Sequence, residues 1–151
     1  VTAPAMLQRA DIAARIPHQG RMCLLDRVRA WDAEAVTCTT GSHRDTDNPL
    51  RSAGGLLSPC AIEYAAQAMA LHGALVAPPE AGPRPGFLAS VRDVRFHTSR
   101  LDLLPGDLEI QVRRLAGAGS QVLYQFRVSS DGALVAEGRA AVVLDTPLPP
   151  S

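Results

Sequence analysis

The chain contains no lysine; all fifteen of its basic residues are arginine. That absence excludes Schiff-base chemistry on a lysine and the phosphate-binding loop that depends on one. Net charge is also missing, because fifteen acidic residues balance the fifteen basic ones. With no excess of either sign, neither nucleic acid nor an anionic membrane is expected as the main partner. Cysteine is scarce, and Cys23, Cys38 and Cys60 stand at no metal-ligand spacing. They read as buried thiols of a reducing compartment rather than a disulfide framework, and no metal site is expected. No N-terminal stretch has the charged, apolar and small-residue order of a signal peptide, so the expected location is the cytoplasm. Internal repeats and low-complexity blocks are lacking too. What remains is a chain of 151 residues, 46% hydrophobic, which suits one folded domain. Its ends, residues 1–5 and 146–151, read as loose tails, the second with three prolines in six residues.

The hydrophobic pattern divides the chain. Met6 to Arg15 is a short amphipathic helix candidate stopped by Pro17. Cys23 to Trp31 and Val36 to Thr40 read as a pair of strands. Asp45 to Ser58 is the longest irregular stretch, and Pro59 to Ala77 is then apolar nearly all round. Ser58 is a natural N-cap, and Pro59 sits at the first helical position, where proline is tolerated. A helix with no polar face must be enclosed by protein or lipid. Glu63, Gln67 and His72 within it, and strand patterns on both sides, favour protein over a membrane span. After the loop Pro78 to Gly86, period-two alternation marks Phe87–Thr98, Leu108–Leu115, Val122–Val128 and Leu134–Leu144. Ala116 to Gly119 and Asp131-Gly132 read as hairpin turns, the second with type I′ chemistry. The predicted architecture is α+β, an antiparallel sheet of six strands wrapped around one long central helix: the hotdog fold.

Three segments resemble the β-hydroxyacyl-acyl-carrier-protein dehydratases. Ile16-Pro17-His18, followed by Met22-Cys23-Leu24-Leu25-Asp26-Arg27-Val28, resembles the Pro-His and Leu-Leu-Val-Asp-Arg-Val opening of that family. Ile62-Glu63-Tyr64-Ala65-Ala66-Gln67 resembles its acidic helix, and is similar to the helix of small aryl-polyene-type dehydratases. Val94-Arg95-Phe96 and then Leu104-Pro105-Gly106-Asp107 resemble the strand and turn that follow. The sequence departs from the family where a Gly-His-Phe-Pro-Gly segment supplies the catalytic histidine. Here Asp47 to Gly55 contains no histidine, and Leu57-Ser58-Pro59 replaces the family's Pro-Gly step. The resemblance implies a hotdog homodimer or heterodimer with active sites at the subunit interface. It also implies an acyl carrier protein bearing a phosphopantetheine-linked chain as partner, and no cofactor.

Dehydration of a 3-hydroxyacyl thioester needs a base for the α-proton, an acid for the departing hydroxyl, and donors for the thioester oxygen. Glu63 is the candidate acid; burial in an apolar helix is expected to raise its pKa and keep it protonated. Its structural alternative is a buried carboxyl satisfied by hydrogen bonds. Gln67 lies one turn on and can orient Glu63 or simply bind structure. For the base, His18, His43 or a histidine of a partner chain remain open. His18 lies in the best-matching segment, and His43 is near in sequence to where the family keeps its histidine. The competing reading of His43 is an exposed loop residue. His72 falls about 180° round the helix from Glu63, so it reads as a core or interface histidine. His97, on a strand, is a weak candidate. Ser58 can offer its backbone N–H or its hydroxyl to the thioester oxygen at the helix N-terminus, or act only as a cap. Cys60 reads as packing, with no base beside it. Arg51, Arg92, Arg95 and Arg100 could meet a phosphopantetheine phosphate or an acidic carrier.

The reading is therefore a hydro-lyase that forms a 2-enoyl thioester in fatty-acid or polyene-type biosynthesis. The candidate catalytic residues are Glu63 and His18, and the candidate substrate-binding residues are Gln67, Ser58 and His43. Two alternatives share the fold: an acyl-thioesterase in which Glu63 activates water, and a non-catalytic hotdog subunit that binds acyl chains for a partner.

Overall fold

The computed structural model describes residues 6–77, 86–118 and 120–144. In chain order these form β1 (Leu7–Gln8), α1 (Arg9–Ala13), β2 (Arg27–Trp31), β3 (Ala35–Thr40), α2 (Ala61–Val76), β4 (Gly86–Phe96), β5 (Leu108–Ala118), β6 (Gln121–Ser130) and β7 (Ala133–Leu144). The strands make one seven-stranded sheet in the order β1-β2-β3-β5-β6-β7-β4, every neighbouring pair antiparallel.

Period-two patterning places the core. In β6, Val122, Tyr124, Phe126 and Val128 are buried while Gln121, Gln125 and Arg127 are exposed. Leu108, Ile110 and Val112 of β5 and Val36 and Cys38 of β3 line the same inner face. α2 lies against β3, β5 and β6 and buries Ala61, Tyr64, Ala65, Ala68, Met69 and Leu71 there. Each large apolar side chain removed from water in this way contributes about 1.5–3 kcal/mol. The β6–β7 hairpin turns at Asp131 and Gly132, whose φ values of 51° and 79° give the expected type I′ turn. This is the hotdog architecture: one sheet around one principal helix.

Several boundaries differ from the sequence expectation. The strand read as Cys23–Trp31 begins only at Arg27, because Cys23, Leu24 and Leu25 are buried in succession, which an alternating strand does not allow. The sheet has seven strands rather than six, since Leu7–Gln8 pairs with Arg27 and Val28. The Met6–Arg15 helix shrinks to Arg9–Ala13, opened by a capping box between Gln8 and Asp11. The central helix starts with a 3-10 turn, Ser58–Cys60, and runs to Val76. Pro59 has no N–H, so the first intrahelical bond is the Cys60 N–H to the Leu57 carbonyl, and no side chain caps the helix. β5 continues through the Ala116-Gly117-Ala118 segment read as a turn. The tails, Gly119 and nearly all of the Pro78–Gly86 loop lie outside the described residues. Among the described residues, no helix is long and apolar enough to cross a membrane.

Candidate active site

The segment between α1 and β2 is pinned to α2 by one side chain. Gln67 is fully buried; its Oε1 accepts the Leu24 N–H at 2.9 Å and its Nε2 donates to the Met22 carbonyl at 2.7 Å. Those two bonds draw the peptide out of strand geometry and lay the His18 loop over the helix. Gln67 Nε2 also lies 3.3 Å from Glu63 Oε1, one helical turn back. On that same oxygen converges His18, whose Nε2 is 3.4 Å away. The side chains of His18 and Glu63 are 27% and 36% exposed, so a substrate can reach them. His18 Nδ1 is buried and has no partner among the described residues.

The electrostatics reverse one expectation. Burial alone would make Glu63 a protonated acid with a raised pKa. Instead, hydrogen bonding from His18 holds its pKa below the usual carboxylate value; burial opposes this, and Gln67 adds to the lowering. The resting state of the site is a carboxylate facing an imidazole and an amide N–H. It can accept a proton as it stands, and can donate one only after taking it up.

Ser58 is buried, and its backbone N–H is taken by the Ser99 carbonyl at 3.0 Å. Of its two expected donors, only the hydroxyl remains for a substrate oxygen. His43 is not an exposed loop residue but wholly buried: its Nε2 lies 3.1 Å from the Leu104 carbonyl, and desolvation lowers its pKa. The histidine that reaches the Glu63 carboxylate is therefore His18 and not His43. His72 is a core histidine, as expected, with Nδ1 2.9 Å from the Tyr124 hydroxyl and Nε2 3.0 Å from the Asp32 carbonyl. His97 pairs with Glu137 at 3.0 Å on the surface. Asp102, 4% exposed, takes Arg100 at 2.6 Å, with Arg51 at 3.6 Å, and ties the β4–β5 connection to the Leu56 N–H ahead of α2. All three cysteines are free thiols. No cluster of metal ligands occurs among the described residues.

Sequence reasoning did not single out Tyr64, Asn48, Ser42 or Thr40, which form a buried polar cluster between the Tyr64 hydroxyl and the Leu24 carbonyl. The Tyr64 hydroxyl lies 2.8 Å from Ser42 Oγ and 3.1 Å from Asn48 Nδ2. The available signal was a tyrosine in a largely apolar helix, since a buried phenol needs a partner.

A family model described as ApeP dehydratase matches residues 10–147. The chain belongs to the ApeP-like dehydratase family. Membership makes it a dehydratase, a hydro-lyase, at the level of reaction class. Among solved structures, the dehydratase heterocomplex ApeI:P from Xenorhabdus doucetiae matches with a TM-score of 0.78 and 22% identity, over 89% of this chain and 91% of that one. A mutant thioesterase from Pseudomonas aeruginosa matches at TM-score 0.58 and 16% identity, over 78% and 79% of the two chains. A mutant thioesterase from Staphylococcus aureus matches at 0.60 and 14%, over 79% and 92%. These likenesses are of fold. No curated protein matches the chain.

Proposed function

We propose that this ApeP-like dehydratase acts on 3-hydroxyacyl thioesters carried by an acyl carrier protein, in fatty-acid or polyene-type biosynthesis. The observation that carries the reading is the half-exposed His18–Glu63 pair, 3.4 Å apart and drawn from one chain. Glu63, ionised at rest, takes the α-proton; the Cα–H bond breaks and charge passes to the thioester oxygen, where the Ser58 hydroxyl can donate. The acid so formed gives the same proton to the β-hydroxyl, the C–O bond breaks, water leaves and the carboxylate returns. His18 steadies Glu63 through both halves, and no cofactor is needed. Gln67 fixes the carboxylate against α2. His43, fully buried with its Nε2 on the Leu104 carbonyl, takes a structural role in this reading.

The carrier would meet arginine. Arg51 and Arg100 flank Asp102, two cations on one carboxylate, just ahead of α2. Arg92 and Arg95 are exposed on β4. β4 is also an edge of the sheet and carries exposed Leu88, Val91 and Phe96, which suits pairing with a second hotdog chain, identical or not. The similar Xenorhabdus doucetiae dehydratase is a heterocomplex, which favours considering an unlike partner. Free thiols suit a reducing cytoplasm.

A second reading, thioester hydrolysis, is favoured by the ionised and accessible Glu63, which could equally activate water. One experiment separates these: incubate the purified chain with a 3-hydroxyacyl-carrier protein, alone and with a candidate second hotdog chain, and follow the acyl product by mass. Loss of one water with the thioester intact supports the proposal. Release of free acid moves the assignment to thioesterase, and activity only with the second chain moves it to a partner subunit. Light scattering on the same sample reads the assembly, and a monomer at micromolar concentration would defeat the β4 interface.

A further inference from the structure

Tyr64 follows Glu63 in sequence, but successive residues point about 100° apart round a helix. Its phenol therefore turns away from the site and into the protein, where it is fully buried. Around it the hydrogen-bond partners set the direction in which the bonds run. Asn48 Oδ1 accepts the Leu50 N–H at 2.9 Å, so its amide nitrogen is the end that faces Tyr64 and donates. Ser42 Oγ has one proton and spends it on the Leu24 carbonyl, so across its 2.8 Å contact with Tyr64 it accepts and the phenol O–H donates. Ser42 Oγ in turn donates to the Leu24 carbonyl at 2.7 Å, beside Thr40 Oγ1, which donates to the same oxygen at 2.5 Å. The Leu24 carbonyl thus uses both its lone pairs. Across the 17–26 segment, the Leu24 N–H donates to Gln67 Oε1, which fixes the Gln67 amide with its nitrogen toward Glu63.

We propose that Tyr64 is a positioning residue for Glu63, acting through a one-way hydrogen-bond chain, Asn48 to Tyr64 to Ser42 to Leu24 to Gln67, that ends on the carboxylate. Every link donates in the same direction. Leu24 joins the two halves mechanically: its carbonyl ends the first run and its N–H opens the second, and because these belong to successive peptide groups separated by the Cα, position and not polarisation crosses it. The Gln67 amide then passes polarisation on, because an amide whose oxygen accepts is a better donor at nitrogen. Thr40, Ser42, Asn48, Tyr64 and Gln67 are all buried, so water cannot substitute for a missing link. The chain does two things at once. It sets Leu24, and so Gln67 and the last N–H that faces Glu63, and it holds the segment that carries His18 at a set distance from α2. The inference rests on Glu63 being the reacting carboxylate.

The test is Tyr64→Phe, assayed for dehydration across pH beside wild type, Glu63→Gln, Ser42→Ala and the double variant. A loosened site geometry of this kind should lower kcat about 10-fold, with KM changed less than about 2-fold. The acid limb of the rate profile should move up by about 0.1 to 0.7 pH units, as Glu63 loses part of its donor support. Because both variants cut one chain, the double variant should be no slower than the worse single one. Gly138→Ala, far along the sheet, controls for destabilisation alone and should leave the limb in place. If Tyr64→Phe does not fold, Ser42→Ala, which removes one hydroxyl, carries the same readouts. An unchanged kcat and limb in folded Tyr64→Phe or Ser42→Ala, while Glu63→Gln is inactive, overturns the inference and leaves the proposed function standing. Activity in Glu63→Gln overturns the function itself.

Discussion

Replacing Gln67 with methionine keeps the length of the side chain and removes all three of its hydrogen bonds. Gln67 is fully buried, so the Leu24 N–H loses its acceptor where no water can replace it. A buried donor left unpaired costs about 1–3 kcal/mol, and the lost bond to the Met22 carbonyl adds about 0.5–1.5 kcal/mol. The more apolar thioether recovers part of this, for a net loss of about 1–4 kcal/mol. For a chain of this size each kcal/mol lowers Tm by about 2–4 °C, which puts the expected fall at about 2–16 °C. The same change withdraws one of the two donors that hold Glu63 ionised, so its pKa should rise and the acid limb of activity should move to higher pH. Calorimetry gives the first number and the pH–rate profile the second. A variant with wild-type Tm and an unmoved acid limb would refute the account of Gln67 as the pin between the His18 loop and α2.

Acid should destabilise the fold in a window set by two carboxylates. Glu63 and Asp102 both have folded pKa values below their unfolded ones, so their stabilisation is complete above the ordinary carboxylate range and is lost as pH falls through the lowered values. Urea midpoints measured from about pH 6 to pH 3 should fall, with a shallower slope for Asp102→Asn. At higher pH, buried His43 and His72 have lowered pKa values, so the unfolded chain binds more protons, and stability should decline as pH drops through the ordinary histidine range. Gly138→Ala would bring a Cβ to 2.9 Å from Phe126 Cζ and 3.0 Å from Val94 Cγ2. It should cost about 1–3 kcal/mol by overpacking, read by urea denaturation and relieved in part by Phe126→Leu.

Most of the sheet was legible because it obeys local rules. The alternation of Val122, Tyr124, Phe126 and Val128 fixes which face of β6 is buried, and Asp131-Gly132 fixes the hairpin that returns as β7. The enclosure of α2 followed from its lack of a polar face. What was not legible depends on partners distant in sequence. Leu24 leaves strand geometry because Gln67 claims its N–H and Thr40 and Ser42 claim its carbonyl, which no periodicity records. The direction of the Glu63 shift turned on His18 reaching the same oxygen; burial alone gives the opposite sign. Ser58 does stand at the helix start, but its N–H goes to Ser99, a residue of the β4–β5 connection brought there by the fold. The candidates Glu63, His18 and Gln67 came from the resemblance and do converge, whereas their arrangement is tertiary.

The central claim is that Glu63, held by His18 in the same chain, moves the proton in dehydration. Its most direct test is turnover of a 3-hydroxyacyl-carrier protein by folded Glu63→Gln against wild type. Glutamine preserves volume and can still accept a hydrogen bond from His18 or Gln67, so the fold should stand while the transferable proton has nowhere to go. General acid–base catalysis contributes about 10²- to 10⁴-fold, and kcat should fall by that factor with substrate affinity little changed. A folded Glu63→Gln protein that dehydrates at the wild-type rate would contradict the account.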